Sequence, residues 1–140
     1  MDHRALKAFL DANAEAMSGM TAAQKADWCN ARVEREAVRS DDVIRYLFLQ
    51  GKWMTVKLSA DEAAQTLVEG LDRFPTFDLD NPAYLAAISS ALDGAVTAGF
   101  ITDDDKTAIL ALGDDKRTRA EKAGFGTVHL RHIQRAEALI

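Results

Sequence analysis

The sequence predicts an all-α fold, a compact bundle of about six short helices with a C-terminal α-hairpin and a small helix-turn-helix-like end. Three observations predict it. Apolar residues recur at three- and four-residue spacing along most of the chain. Most of those runs begin at a capping residue and end at glycine or proline. Only one stretch, Trp53 to Leu58, has strand character, and no partner strand is evident for it.

Each element has its own signals. Asp2 can cap a first helix running to about Met17, with Leu6, Phe9, Leu10, Ala14 and Met17 on one face. Ser18-Gly19-Met20 ends it. Thr21 and Gln24 form a capping-box pattern, and the helix behind them carries Trp28 and Cys29 and fades near Asn30. Residues 31–39 have no clean period and read as an irregular connector or part of a helix. Ser40 or Asp41 can cap the next helix, whose apolar face is Val43, Ile44, Leu47 and Phe48, and Gly51 suits its end. Trp53 to Leu58 reads as extended loop or a helical turn. Ser59 and Glu62 form a second capping-box pattern before Ala63, Leu67, Val68 and Leu71, and Pro75 stops that helix. Asn81-Pro82 gives a cap with proline at the first helical position. Leu85, Ile88, Leu92, Ala95 and Val96 follow to Gly99. Thr102 to Asp105 opens the partner helix of the hairpin, with Ala108, Ile109 and Leu112 facing inward and Gly113 closing it. A short helix is expected at Thr118–Ala123, and a last one from about Thr127 with Val128, Leu130, Ile133 and Ala136.

The 140 residues suit one helical domain, 1–140, with subdivision into 1–58 and 59–140 as the alternative. A hydrophobic content of 48% is enough for a core and argues against a disordered chain. The single cysteine, Cys29, rules out an internal disulfide and a multi-cysteine zinc site. No apolar run reaches membrane-spanning length, so no membrane insertion is expected. The start, Met1-Asp2-His3-Arg4, lacks the layout of a signal peptide, and synthesis in the cytoplasm is expected. Charge is uneven. Residues 51–115 carry 12 acidic and 4 basic residues, whereas 116–140 carry 6 basic and 2 acidic. The acidic middle would repel nucleic acid and the basic end would attract an acidic partner.

No constellation carries recognisable reaction chemistry, so no enzyme, cofactor or metal is expected. Asp103, Asp104 and Asp105 suit the positive end of a helix dipole better than a calcium loop, whose glycine and terminal Glu are missing. His129 and His132 would share a helix face, but a third ligand is absent from the motif. Cys29 beside Trp28 reads as a small buried residue. Segment 119–136 has the pattern of a helix-turn-helix, from which Arg119, Lys122, His129, Arg131, His132 and Arg135 would meet phosphates or base edges. The second glycine, Gly126, and the overall acidity weigh against it. Trp53, Phe74, Phe77 and Phe100 lie on or near short connectors; they read either as exposed anchors for a partner or as core residues.

Residues 94–113, a helix, an Ala-Gly-Phe-Ile turn and an Asp-rich helix start, are followed by Thr118-Arg119-Ala120-Glu121 through His132-Ile133-Gln134-Arg135-Ala136. Together these stretches resemble the C-terminal half of small proteins encoded among the structural genes of tailed bacteriophages. The likeness covers about a third of the chain and brings no defined functional residues with it. It implies a non-enzymatic virion or tail-associated component made in a bacterial host. Such a component would act through contacts with other virion or assembly proteins, or as a homo-oligomer. The alternative is a small DNA-binding regulator using segment 119–136, and only that reading makes nucleic acid a partner.

Overall fold

A computed structural model describes residues 1–139. In chain order the elements are α1 (His3–Ala12), α2 (Ala22–Asn30), β1 (Arg32–Glu34), β2 (Val38–Arg39), α3 (Ser40–Leu49), α4 (Trp53–Leu58), α5 (Glu62–Arg73), β3 (Thr76–Phe77), α6 (Pro82–Thr97), α7 (Asp103–Leu110), β4 (Arg117–Thr118), α8 (Arg119–Lys122) and α9 (Leu130–Glu137). The chain is mostly helical, as the periodicity predicts, but it is not purely so. β1 pairs antiparallel with β4, and β2 with β3. Residues 31–39, the stretch without a clean period, supply β1 and β2. Their partners lie far along the chain, so local sequence carries no hairpin signal for either pair. The helices are also more numerous and shorter than the six expected.

The chain forms two compact units, Met1–Arg35 with Asp114–Ile140, and Glu36–Gly113. Position 58/59 falls inside the second of these, between α4 and α5.

The first unit packs α1, α2, α8 and α9 around Leu6, Leu10, Met17, Ala26, Cys29, Ala120, Val128, Ile133 and Ala136. Asp2 caps α1 as expected, its Oδ1 accepting from the amides of Arg4 and Ala5. The helix ends at Ala12 and not near Met17. Asn13 donates its side-chain amide to the Phe9 carbonyl at 2.8 Å, which takes an acceptor the helix would otherwise use. The turns that follow still bury Met17. The Thr21–Gln24 capping box forms in full, with bonds of 3.2 and 2.9 Å. Asn30 and Arg119 are among the residues that join the N-terminal and C-terminal segments. The Asn30 side chain donates to the Val128 carbonyl at 2.7 Å and accepts from the Val128 amide at 3.0 Å. Arg119 lays its guanidinium 4.2 Å from the Trp28 ring centre and donates to the Trp28 carbonyl at 2.9 Å.

The second unit packs α3 to α7 around Val43, Leu47, Val56, Leu67, Leu92, Ala95 and Ile109. Its helix starts depart from expectation in two places. Arg39, not Ser40 or Asp41, stands before α3 and makes no side-chain cap. Ser40 is buried instead, its hydroxyl donating to the Phe74 carbonyl and its amide to the Pro75 carbonyl. At α5 the cap is Asp61, which accepts from the Ala63 amide at 2.9 Å, while Ser59 accepts from Asp61 one turn earlier. Trp53 to Leu58 is helical, and Trp53 and Val56 point into the core. On α3, Val43 and Leu47 are buried but Phe48 is not. Asn81 caps α6 with Pro82 at its first turn. The hairpin of α6 and α7 forms. Gly99, at φ 83°, supplies the left-handed step that ends α6, and Lys106 near the start of α7 reaches Asp93 near the end of α6 at 2.5 Å, as antiparallel helices require.

Each unit draws its own chain ends together. In the second, the Glu36 amide donates to the Gly113 carbonyl at 2.8 Å. In the first, Arg35 pairs with Asp114 at 2.9 Å. The approach at Gly113 excludes a side chain: an added Cβ would sit 2.1 Å from the Glu36 carbonyl oxygen. Gly113→Ala must therefore push the backbone apart. It is expected to lower unfolding stability by about 1–3 kcal/mol, read as a lower midpoint in urea with an unchanged slope.

Candidate functional site

The residues singled out in the sequence fall into three places, none of which gathers them all. Of the four aromatic candidates, Trp53 and Phe77 belong to the core of the second unit and do not face solvent. Their periodic positions on α4 and β3 turn them inward: Phe77 pairs across the β2–β3 ladder with the buried Val38. Phe100 is half-buried against the same core. Phe74 alone of the four is exposed, tilted against Phe77 and edge-on to Tyr84, with ring centres 6.0 and 6.3 Å apart.

The residues that do stand out are ones that the sequence places inward or leaves unmarked. Phe48, Leu49, Met54 and Leu58 are 63, 75, 52 and 76% exposed. Phe48 was expected on the inner face of α3. It stands one residue past the buried Leu47, near the end of α3, and turns outward. Met54 and Leu58 are four apart on α4, a helix that local sequence does not announce. Had Trp53–Leu58 been read as helix, the i, i+4 spacing of Met54 and Leu58 opposite Trp53 and Val56 would have marked them as outward.

In segment 119–136, α8 is a single turn and seven residues, Ala123 to His129, separate it from α9. A helix-turn-helix has a three- or four-residue turn, so that motif does not form. Two of its basic residues are engaged within the first unit: Arg119 on Trp28, and Lys122 with Glu34 at 3.1 Å. Arg131 and Arg135 are exposed on α9 and make no ion pair among the described residues.

His129 and His132 do lie together, and His3 joins them; ring centres are 5.2 Å apart for His129 and His132, and 6.0 Å for His3 and His132. His132 Nδ1 accepts from the His129 amide at 3.0 Å and so closes the start of α9. Partial burial holds the His132 imidazole below its ordinary range, helped by the positive charge of Arg131 and the neighbouring histidines. That acceptor role needs the neutral ring with its proton on Nε2. Among the described residues no group of three or more His, Cys, Asp or Glu is placed to hold a metal ion. Cys29 is buried, as the sequence suggested, and burial pushes its thiol up against the opposing pull of Arg119.

One buried carboxylate has concentrated electrostatics. Asp105, in the first turn of α7, is 4% exposed. It accepts from the Tyr46 hydroxyl at 2.8 Å, from the Lys52 ammonium and from the Thr102 amide at 2.9 Å. Its own amide donates to the Thr102 hydroxyl, completing a capping box. Helix-start carboxylates were read from the Asp103-Asp104-Asp105 run, and the Asp105 cap agrees. The links to Tyr46 and Lys52, more than 50 residues away in sequence, had no local signal. The network joins α3, the α3–α4 turn and α7, and both carboxylate oxygens of Asp105 accept from this unit's own donors. It is a structural clamp.

Comparison with protein-family models, with curated proteins and with solved structures finds no match to this chain.

Burial alone would push the Asp105 carboxyl up, but the donors from Lys52, Thr102 and Tyr46 outweigh it and hold the group down to about 2. A depressed carboxylate contributes stability that is fully present above the ordinary carboxyl range and is lost as pH falls through the folded value. Wild type is therefore expected to exceed Asp105→Asn by about 2 kcal/mol near neutrality. The gap should close between pH of about 4 and about 2. Urea titrations at a series of pH values check this, and a gap that does not change with pH removes the clamp assignment.

Proposed function

We propose that this chain is a non-enzymatic contact module, a virion or tail-associated component of a bacteriophage that acts by binding other assembly proteins. The observation that supports the reading is the surface of α3 and α4, where Phe48, Leu49, Met54 and Leu58 all project outward. Single exposed apolar residues are ordinary on a protein surface, but four large ones within eleven consecutive residues are the composition of an interface core. The likeness of residues 94–113 and 118–136 to small proteins of tailed-phage structural genes supplies the setting. No helix among the described residues is long and apolar enough to cross a membrane, so the exposed residues belong to no spanning helix. Phe48→Ser with Leu58→Ser should leave the far-ultraviolet spectrum unchanged and reduce incorporation into purified particles at least tenfold, measured by mass spectrometry. Wild-type particles that lack the chain refute the assignment to a virion.

A second reading, a DNA-binding regulator, keeps one supporting observation. Arg131 and Arg135 lie four apart on α9, exposed and free of ion pairs among the described residues. If they contact phosphate, binding to duplex DNA falls steeply with salt, and Arg131→Ala with Arg135→Ala flattens that slope by about 2. A fluorescence anisotropy titration at low salt that shows no binding eliminates this reading.

A further inference from the structure

Three histidines from the two segments of the first unit meet at the start of α9. His3 opens α1, His129 stands immediately before α9, and His132 lies in its first turn. Their rings form a chain, 6.0 Å between centres from His3 to His132 and 5.2 Å from His132 to His129. The His132 ring supplies the side-chain acceptor at this helix start, its Nδ1 taking the His129 amide hydrogen at 3.0 Å. A ring nitrogen accepts only while it is unprotonated.

A proton on His132 therefore has three effects of one sign. It removes the acceptor from the His129 amide. It places a positive charge at the end of α9 where free amides already carry partial positive charge. It also sets that charge beside Arg131, His129, His3 and the Met1 amino group. The packed elements offer little to offset it. From α1, Asp2 lines the same crevice as His132, but its Oδ1 already accepts from the amides of Arg4 and Ala5. Arg4 is exposed, and Lys7 and Asp11 pair with each other farther along that helix. α2 also packs on α9; its Lys25 pairs with Glu137 at the far end of α9, and its Asp27 is exposed. Residues 123–128, part of which lines the crevice, include no titratable side chain. Arg135, on α9 itself, adds a further positive charge.

We propose that this cluster is an acid-operated latch: protonation of His132 releases the start of α9 from α1 and frees the buried side of the helix. Ile133 and Ala136 are buried on α9, whereas Arg131, Gln134 and Arg135 are exposed. Loosening thus turns an apolar stripe bordered by arginine toward solvent. The sign agrees with the ionisation of His132, which burial and then its positive neighbours hold below the ordinary range. The unfolded chain takes up the proton more readily. The stability tied to the neutral ring is present above a pH of about 6.5 and is lost as pH falls through the folded value.

Hydrogen–deuterium exchange on the full chain at pH of about 7.5 and about 5, corrected for the intrinsic effect of pH on exchange, tests the latch. In wild type, peptides covering α9 should lose protection by roughly fivefold or more at the lower pH, as loss of a helix cap requires, while those covering α6 should not change. His132→Gln puts a neutral acceptor at the capping-box position, so its α9 should be equally protected at both pH values. His132→Ala lacks the acceptor and should show the lower protection at both. In wild type, the His132 ring-proton shift followed by NMR gives a titration midpoint that should coincide with the loss of protection. Three results each overturn the proposal: α9 protection in wild type that does not change with pH, an equal acid loss in His132→Gln, or a His132 midpoint well separated from the loss. The Asp105 clamp does not interfere, since its contribution is lost only below a pH of about 4.

Discussion

The close approach of Gly113 to Glu36 is the constraint on which this architecture depends. The first unit is made of two segments separated by the whole of the second, so each contact between them must close a loop of roughly 80 residues. For a flexible chain that closure costs about 4 kcal/mol before any contact is made. A folded second unit removes most of the cost, because its own ends are already hydrogen-bonded to each other. The helices that build it, α3 to α7, are contiguous in sequence and pack mainly with near neighbours in the chain, which favours early formation. Assembly of the first unit then follows from local geometry: Arg35 meets Asp114, β1 finds β4, and Asn30 finds Val128.

Polar side chains in this protein are largely directed at its own backbone. Asn30 serves the amide and the carbonyl of one distant residue, Val128, Arg119 and Arg32 donate to carbonyls, and Ser40 donates to the chain end of α5. Those of Asn30, Ser40 and Arg119 satisfy partly buried groups that would cost free energy if left unpaired. They also consume donors that a ligand site would need. The Asp105 cluster has the burial and the shifted ionisation often found at reactive centres, yet its oxygens are filled from within. On α3 and α4, Phe48, Leu49, Met54 and Leu58 are turned toward solvent, and the proposed role in contacts rests on them.

The helices with strong local signals are legible in the sequence. Thr21 with Gln24 and Asn81-Pro82 cap where their side chains predict, and α7 and α8 open at Thr102 and Thr118 as expected. Misreadings arose where a distant partner decided the outcome. Ser40 could cap a helix, but the Phe74 carbonyl claims its hydroxyl. Residues 31–39 pair with strands that no turn announces. Trp53 to Leu58 has β-branched and aromatic residues, but packing of Trp53 and Val56 beneath α3 and α5 overrides that preference. The exposed patch was missed for the same reason: outwardness on α4 is visible only once α4 is known to be a helix. The helix-turn-helix likeness failed on length, since spacing of apolar residues alone does not reveal how many residues a connector spends outside helical geometry.

The two tryptophans are divided between the units, and their surroundings differ. Trp28 lies beneath a guanidinium and is partly open to water, whereas Trp53 is buried in the core of the second unit. Each unit thus carries one intrinsic fluorophore, and the pair differ in polarity and in access to a collisional quencher. Emission from a chain retaining only one of them reports the melting of one unit without interference from the other, which makes the cooperativity between an insert and its host directly observable with no label attached.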